Sequence, residues 1–198
     1  MSESEHNWVP IESNPEVMTE FLSAIGVGDE WGVVDVIGLD EELLQFMPSP
    51  VLSLILLFPV NEDDNQSTEH TNQEVTDDKE SAVYFMRQTI NNACGTIALI
   101  HAVANNCHRI QLKDKSSLKT FLDSSRDLKP EERGRLLEAN ADICNAHHTY
   151  AKEGQTSAPA ADSHINNHFV ALQVSLPKDM LNLPAARVGN LVPFCSLL

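Results

Sequence analysis

Residues 84–104 read YFMRQTINNACGTIALIHAVA, and the second half of this stretch carries apolar residues at helical spacing. The pattern predicts a buried helix from Cys94 to Ala104. The unsatisfied N–H groups and the positive dipole end at a helix start stabilise a thiolate and offer hydrogen bonds to an oxyanion. Gln88, upstream of the cysteine, could supply a further amide donor. Cys94 is therefore a candidate nucleophile, beside the alternative that it is a small apolar core residue.

A histidine that could act as the base lies downstream. Residues 168–174, HFVALQV, predict a strand, and they follow a small, polar loop from Tyr150 to Asn167. A cysteine first and a histidine later in the chain is the order of papain-like thiol hydrolases. His168 is the candidate base, whereas His101, two helical turns after Cys94, is interpreted as a core or surface residue.

The remaining pattern predicts an α/β domain. Predicted helices cover residues 15–25, 40–47, 116–122 and 129–150, and predicted strands cover residues 31–37 and 51–58. The second of these strands is apolar on both faces, which suits a central, buried strand of a sheet covered by helices. Beyond Ser175 no segment has the pattern of a regular strand.

The charge of the chain argues against a polyanionic partner. Thirteen Lys and Arg residues against twenty-nine Asp and Glu residues give a net charge of −16, without any run of basic residues. We therefore expect no binding to nucleic acid. Residues 61–80 are acidic and nearly free of apolar side chains, which predicts a mobile loop that keeps the protein soluble. The alternative is that this loop attracts the basic face of a partner.

The sequence also predicts the compartment and the absence of metal. The apolar run at residues 51–60 is about half of the length that a membrane span needs, and the first ten residues lack a basic signal region. We expect a cytoplasmic protein, with the nucleus as the alternative, and no membrane partner. The four cysteines form no CxxC pair and are interpreted as free thiols. The histidine spacing predicts neither a metal site nor a cofactor.

Four blocks of the sequence resemble ubiquitin carboxyl-terminal hydrolases of the small cysteine-protease type. They are residues 8–17 (WVPIESNPEV), 84–102, 153–156 (EGQT) and 168–172 (HFVAL), and they occur in the family's order. The resemblance implies the papain-like ubiquitin hydrolase fold, in which helices flank a central, mainly antiparallel sheet.

The resemblance also implies a role for individual residues. Cys94 matches the family's nucleophile, His168 its general base and later acid, and Gln88 its oxyanion donor. The implied reaction cleaves amide, ester, thioester or peptide adducts from the carboxyl-terminal glycine of ubiquitin through an acyl-enzyme on Cys94. The loop after Tyr150 resembles the family's crossover loop, through which the ubiquitin tail passes. The residues expected to contact ubiquitin are Trp8, Pro10, Glu153, Gly154, Gln155 and Thr156. The implied partner is ubiquitin or a ubiquitin-like protein, bound by a monomer.

The sequence departs from the family after Val174. The family's Leu-Asp-Gly-Arg motif, whose Asp orients the catalytic imidazole, and its last strands have no match here, and Asp179 is the one acid that could replace that carboxylate. We therefore expect an incomplete hydrolase domain at residues 1–174 and a divergent tail at residues 175–198. Without the orienting carboxylate the imidazole loses a partner that fixes its tautomer. Two alternatives follow: a ubiquitin-binding protein with impaired catalysis, or a chain without a stable fold.

Overall fold

The computed structural model of the protein describes residues 7–60, 83–157, 159, 166–174 and 191–192. The elements, in chain order, are α1 (Pro15–Ile25), α2 (Glu41–Leu44), β1 (Ser53–Pro59), α3 (Cys94–Ala104), α4 (Ser117–Ser125), α5 (Pro130–Glu138), α6 (Ala141–Tyr150), β2 (Asn167–Val174) and β3 (Leu191–Val192). The strands form one antiparallel sheet in the order β1-β2-β3. Helices and a small antiparallel sheet make an α/β fold.

Helix α1 has the bounds that the sequence predicts, because both of its ends carry local signals. The Asn14 side chain accepts hydrogen bonds from the backbone N–H groups of Glu16 and Val17, and Pro15 starts the helix. Gly26 ends it in the left-handed region at φ 116°. The predicted helices around α3 and α4 and the predicted strand at β2 are confirmed as well.

The buried core surrounds α3. Nearly every residue of this helix is buried, so it has no polar face. It packs on β2 and β1 of the sheet. The largest fully buried apolar side chains of the core come from α1, α3, α4, α5, α6 and the segment before α3: Phe21, Ile25, Met86, Ile90, Leu99, Ile100, Leu118, Phe121, Leu137 and Ile143. The first turn of α3 is therefore held from several directions.

The prediction of a central strand at residues 51–58 is wrong in one respect. In the described sheet β1 lies at the edge and β2 in the middle, with Phe58 opposite His168. Two leucines of β1 remain partly exposed, Leu56 at 47% and Leu57 at 38%. An apolar run on both faces thus identified the strand but not its position. The expectation of no strand beyond Ser175 is also corrected, because β3 pairs there with the end of β2.

Three other predicted elements differ from the structure. Residues 31–37 form no strand, since the Val33 N–H donates to Thr19 Oγ1 of α1 at 2.8 Å instead of to a neighbouring strand. The helix predicted at 40–47 is a single turn, α2. The long helix predicted at 129–150 is split into α5 and α6 because the Asn140 side chain accepts from the Ile143 N–H and starts a new helix.

Several predictions fall outside the described residues. These are the loop at 61–80, most of the segment from 158 to 165, Asp179, Cys195 and most of the tail. Among the described cysteines, Cys94, Cys107 and Cys144 are free thiols. None of the helices in the described part of the chain is long and apolar enough to cross a membrane.

Candidate active site

Cys94 is the first residue of α3, as the sequence predicts. Ala93 occupies the N-cap position and provides no capping side chain, so the amides of the first turn have no side-chain acceptor from it. Gly95 allows the close approach of two neighbours to this turn: an added Cβ would collide with the Ile11 side chain and lie 3.3 Å from the Phe169 ring. The start of α3 is thus pressed against both the amino-terminal segment and β2.

Burial influences the protonation of Cys94, the candidate nucleophile. Cys94 is 9% exposed, and burial raises the pKa of its thiol above the ordinary value, although backbone hydrogen bonds with Phe169, Gly95 and Cys94 itself oppose the shift. Stabilisation by the helix start therefore does not outweigh desolvation here. A thiol with a raised pKa reacts more readily when a neighbouring base takes its proton.

His168 is the neighbour in β2 of a residue whose backbone contacts this thiol. The backbone of Phe169 contacts the Cys94 thiol, and His168 is the preceding residue of β2, so its Cα lies about 3.8 Å from that of Phe169. Its side chain is partly exposed. The structure therefore brings the backbone of His168 near the start of α3, although 73 residues separate His168 from Cys94 in sequence.

Gln88 is oriented by the turn that precedes Cys94. Its Nε2 donates to the Ile90 carbonyl at 2.9 Å, and the same carbonyl accepts from the Ala93 N–H at 3.4 Å. A side-chain amide has two N–H groups, so this bond commits only one of them. The turn from Ile90 to Ala93 places Asn92 in the left-handed region at φ 60°, and Asn92 Nδ2 donates to the Trp8 carbonyl at 3.0 Å.

The segment before Gln88 is fixed by side chains that sequence reasoning did not assign to the site. His101 Nε2 accepts from the Met86 N–H at 2.9 Å. Asn105 bonds both backbone groups of Tyr84, at 2.7 and 2.9 Å, and Arg133 donates to the Phe85 carbonyl at 2.7 Å. Burial lowers the pKa of His101 to about 4, so its imidazole is neutral. The sequence signal for His101 is its position seven residues after Cys94 on an apolar helix. That position indicates burial and does not indicate a role in the site.

The residues expected to contact ubiquitin come together in part. Glu12, next to the amino-terminal block, accepts from both the N–H and the Oγ1 of Thr156, each at 3.1 Å. Gly154 approaches the Glu12 carboxylate so closely that an added Cβ would collide with it. The side chains that remain exposed or partly exposed are those of Pro10, Glu153, Gln155 and Thr156.

Trp8 differs from the other expected contacts. Its side chain is 3% exposed and packs against the His147 ring, with centroids 4.1 Å apart. The indole therefore belongs to the core, and Trp8 reaches the site through its backbone, which bonds Asn91 and Asn92.

Comparison with known proteins decides the family. The family model described as "Ubiquitin carboxyl-terminal hydrolase, family 1" matches residues 8–179. The chain belongs to this family. Among curated relatives, the ubiquitin carboxyl-terminal hydrolase of Aplysia californica is 43% identical over 169 residues, which cover 85% of this chain and 78% of the relative. Isozyme L1 of Rattus norvegicus is 44% identical over 166 residues, 81% of this chain and 71% of that protein.

A solved family structure agrees with the fold. The catalytic domain of Trichinella spiralis UCH37, bound to ubiquitin vinyl methyl ester, is 28% identical and superposes with a TM-score of 0.61 over 84% of this chain and 69% of that one. The resemblance and the fold class predicted from the sequence are confirmed.

Proposed function

We propose that this family member cleaves adducts from the carboxyl-terminal glycine of ubiquitin, with Cys94 as nucleophile, His168 as base and Gln88 as oxyanion donor. The chain is a cysteine-type ubiquitin hydrolase by family, and its relatives carry that name. The observation that supports the residue roles is the contact between the Cys94 thiol, at the start of α3, and the backbone next to His168. The alternative of a binding protein without turnover is not favoured by these relatives.

The acylation step follows from this arrangement. His168 takes the proton of the Cys94 thiol, and the sulfur attacks the carbonyl carbon of the ubiquitin terminal glycine. The Cys94 N–H and the second N–H of the Gln88 amide donate to the tetrahedral oxyanion. The imidazolium of His168 then gives its proton to the leaving amine, alkoxide or thiolate, and the bond to the leaving group breaks. A thioester between Cys94 and ubiquitin remains.

Deacylation reverses the roles. Water attacks the thioester while His168 takes its proton, the same donors hold the second oxyanion, and collapse expels the Cys94 sulfur, which recovers the proton. Because burial raises the pKa of the Cys94 thiol, we expect transfer of its proton to His168 to accompany attack in the acylation step.

Substrate recognition would use the surface around Glu12. The residues proposed to meet ubiquitin directly are Pro10, Glu153, Gln155 and Thr156, with Gly154 allowing the loop to approach Glu12 and Trp8 holding the backbone of its segment in place. The solved relative was bound to a ubiquitin derivative, which supports ubiquitin as the partner of this chain. We also propose that the protein is monomeric and cytoplasmic, with a hydrolase domain at residues 1–174 and a tail at residues 175–198.

The test is covalent capture by a ubiquitin that carries an electrophile at its carboxyl terminus, followed by intact mass. We expect one adduct on the wild type and on the control Cys144→Ala, and none on Cys94→Ala. Turnover of a fluorogenic ubiquitin amide should fall by about 10⁴-fold or more in Cys94→Ala, since the nucleophile is removed. A folded wild-type chain without an adduct, or an adduct that persists in Cys94→Ala, would overturn the proposal.

A further inference from the structure

The backbone of residues 7–10, the amino-terminal strap, lies along the turn before Cys94. The Trp8 N–H donates to the Asn91 carbonyl at 3.1 Å, and the Trp8 carbonyl accepts from Asn92 Nδ2 at 3.0 Å. Asn91 Nδ2 also donates to Asn7 Oδ1 at 2.6 Å. The strap therefore supports a turn whose Asn92 has a positive φ, a conformation that costs free energy in a non-glycine residue unless its surroundings fix it.

His147 of α6 connects the strap to the other side of the same site. Its Nε2 lies 2.8 Å from the Val9 carbonyl, and its Nδ1 lies 2.7 Å from Thr96 Oγ1. A carbonyl can only accept, so Nε2 carries the proton and Nδ1 accepts from the threonine hydroxyl. Thr96 is the third residue of α3, in the same turn as Cys94. One ring nitrogen of a fully buried imidazole thus bonds the strap, and the other bonds the first turn of α3.

The two sets of bonds tie the strap to residues on both sides of Cys94 in the sequence. Consecutive carbonyls of an extended chain point in opposite directions. The Trp8 carbonyl is bound by Asn92, which precedes Cys94, and the Val9 carbonyl is bound by His147, which is bonded to Thr96 after Cys94. The Trp8 indole packs on the His147 ring and closes the cluster.

We propose that His147 is a positioning residue: it locks the amino-terminal strap to the first turn of α3 and so holds the 90–93 turn and the Cys94 N–H where the oxyanion forms. This inference rests on the proposed function. Oxyanion donors act by preorganisation, and a small displacement of a reacting group lowers the rate far more than it lowers binding. Burial lowers the pKa of His147 to about 4, which keeps its bonding pattern fixed at neutral pH.

Matched substitutions at Thr96 test the bond without removing the ring. Thr96→Val deletes the donor to Nδ1 at nearly constant volume, and Thr96→Ser retains a hydroxyl. We expect Thr96→Val to lower kcat for a fluorogenic ubiquitin amide by about 10-fold with KM within about twofold, and Thr96→Ser to recover most of the rate. Thr19→Val, which deletes a hydroxyl of α1 that accepts from Val33, is the matched control and should leave kcat unchanged.

A second measurement separates positioning from general loosening of the fold. Alkylation of Cys94 by iodoacetamide forms no oxyanion, so its rate should stay within about twofold in Thr96→Val while kcat falls. An equal fall in both rates, or an unchanged kcat in a folded Thr96→Val protein, would overturn the inference and leave the proposed function intact. A wild-type chain that shows neither turnover nor the ubiquitin adduct would instead overturn the proposed function, and this inference with it.

Discussion

The start of α3 and the strand β1 are both apolar in sequence, yet the structure treats them differently. Around Cys94 the helix start is enclosed by the amino-terminal strap, the 90–93 turn, α6 and β2. Strand β1 pairs with β2 along one edge, and the described part of the chain places no strand along the other. Leu56 stays 47% exposed, whereas Leu99 of α3 is 1% exposed. An apolar sequence predicts that a segment tends to be buried. The elements that pack against it in the fold determine how much of it is covered.

The curated relatives are longer than the region that they share with this chain. The matched region spans 78% of the Aplysia californica relative and 71% of the rat relative, so both contain sequence beyond it. The residues proposed to be catalytic lie within the matched part of the chain.

Acid should produce the largest loss of stability, and it should act on the enclosed region. Burial lowers the pKa of His101 and of His147 to about 4, below the ordinary 6.5. The unfolded chain then binds more protons between these values, so stability is fully present above pH 6.5 and falls as the pH falls towards 4. Each histidine should contribute a loss of about 3 kcal/mol by pH 4.

Chemical denaturation at pH 7, 6, 5 and 4.5 measures this loss, with His101→Gln as the variant and His108→Gln, at an exposed position, as the control. The slope of unfolding free energy against pH should become shallower in His101→Gln than in His108→Gln and the wild type. Equal slopes in all three proteins would show that these imidazoles do not carry the acid sensitivity.

The sequence predicted elements whose ends carry local signals better than elements that depend on a distant partner. The bounds of α1 follow from Asn14, Pro15 and Gly26, which act within one helical turn. Residues 31–37 have a strand pattern, but no pattern shows whether a partner strand is present. The break between α5 and α6 was missed because apolar periodicity continues through it, although Asn140 is a local capping signal that could have revealed it.

The site likewise contains residues that the sequence identifies and long-range bonds that it does not. Cys94, Gln88 and His168 could be named from a helix-start pattern and a family resemblance, and the structure places Gln88 and the start of β2 around the helix start. The bonds that hold the site are long-range: His147 reaches Val9 across 138 residues and Thr96 across 51. Such pairs leave no local pattern, so only the folded chain shows them.

A pair of leucine substitutions tests the contrast directly. Leu99→Ala removes a fully enclosed side chain and should lower the unfolding free energy by about 3 kcal/mol. Leu56→Ala removes a side chain that is half in water already and should cost about 1 kcal/mol or less. Urea denaturation of both variants beside the wild type measures the difference. Equal losses would mean that β1 is as well covered as α3.

The smallest expected effect lies between the two regions, at the contact of Glu12 with the 153–156 loop. One carboxylate oxygen accepts two bonds from Thr156 at 3.1 Å, but the contact is open to water, so Glu12→Ala should cost about 1 kcal/mol or less. Its local effect should be larger, because the Thr156 N–H loses its acceptor and the loop loses its attachment to the strap side of the site. Hydrogen exchange in residues 153–157 should accelerate in Glu12→Ala and not in Glu20→Ala, an exposed glutamate of α1. If the loop also limits which adducts reach Cys94, the variant should gain rate on bulky adducts relative to a small one. Unchanged exchange would show that the loop is held by something other than Glu12.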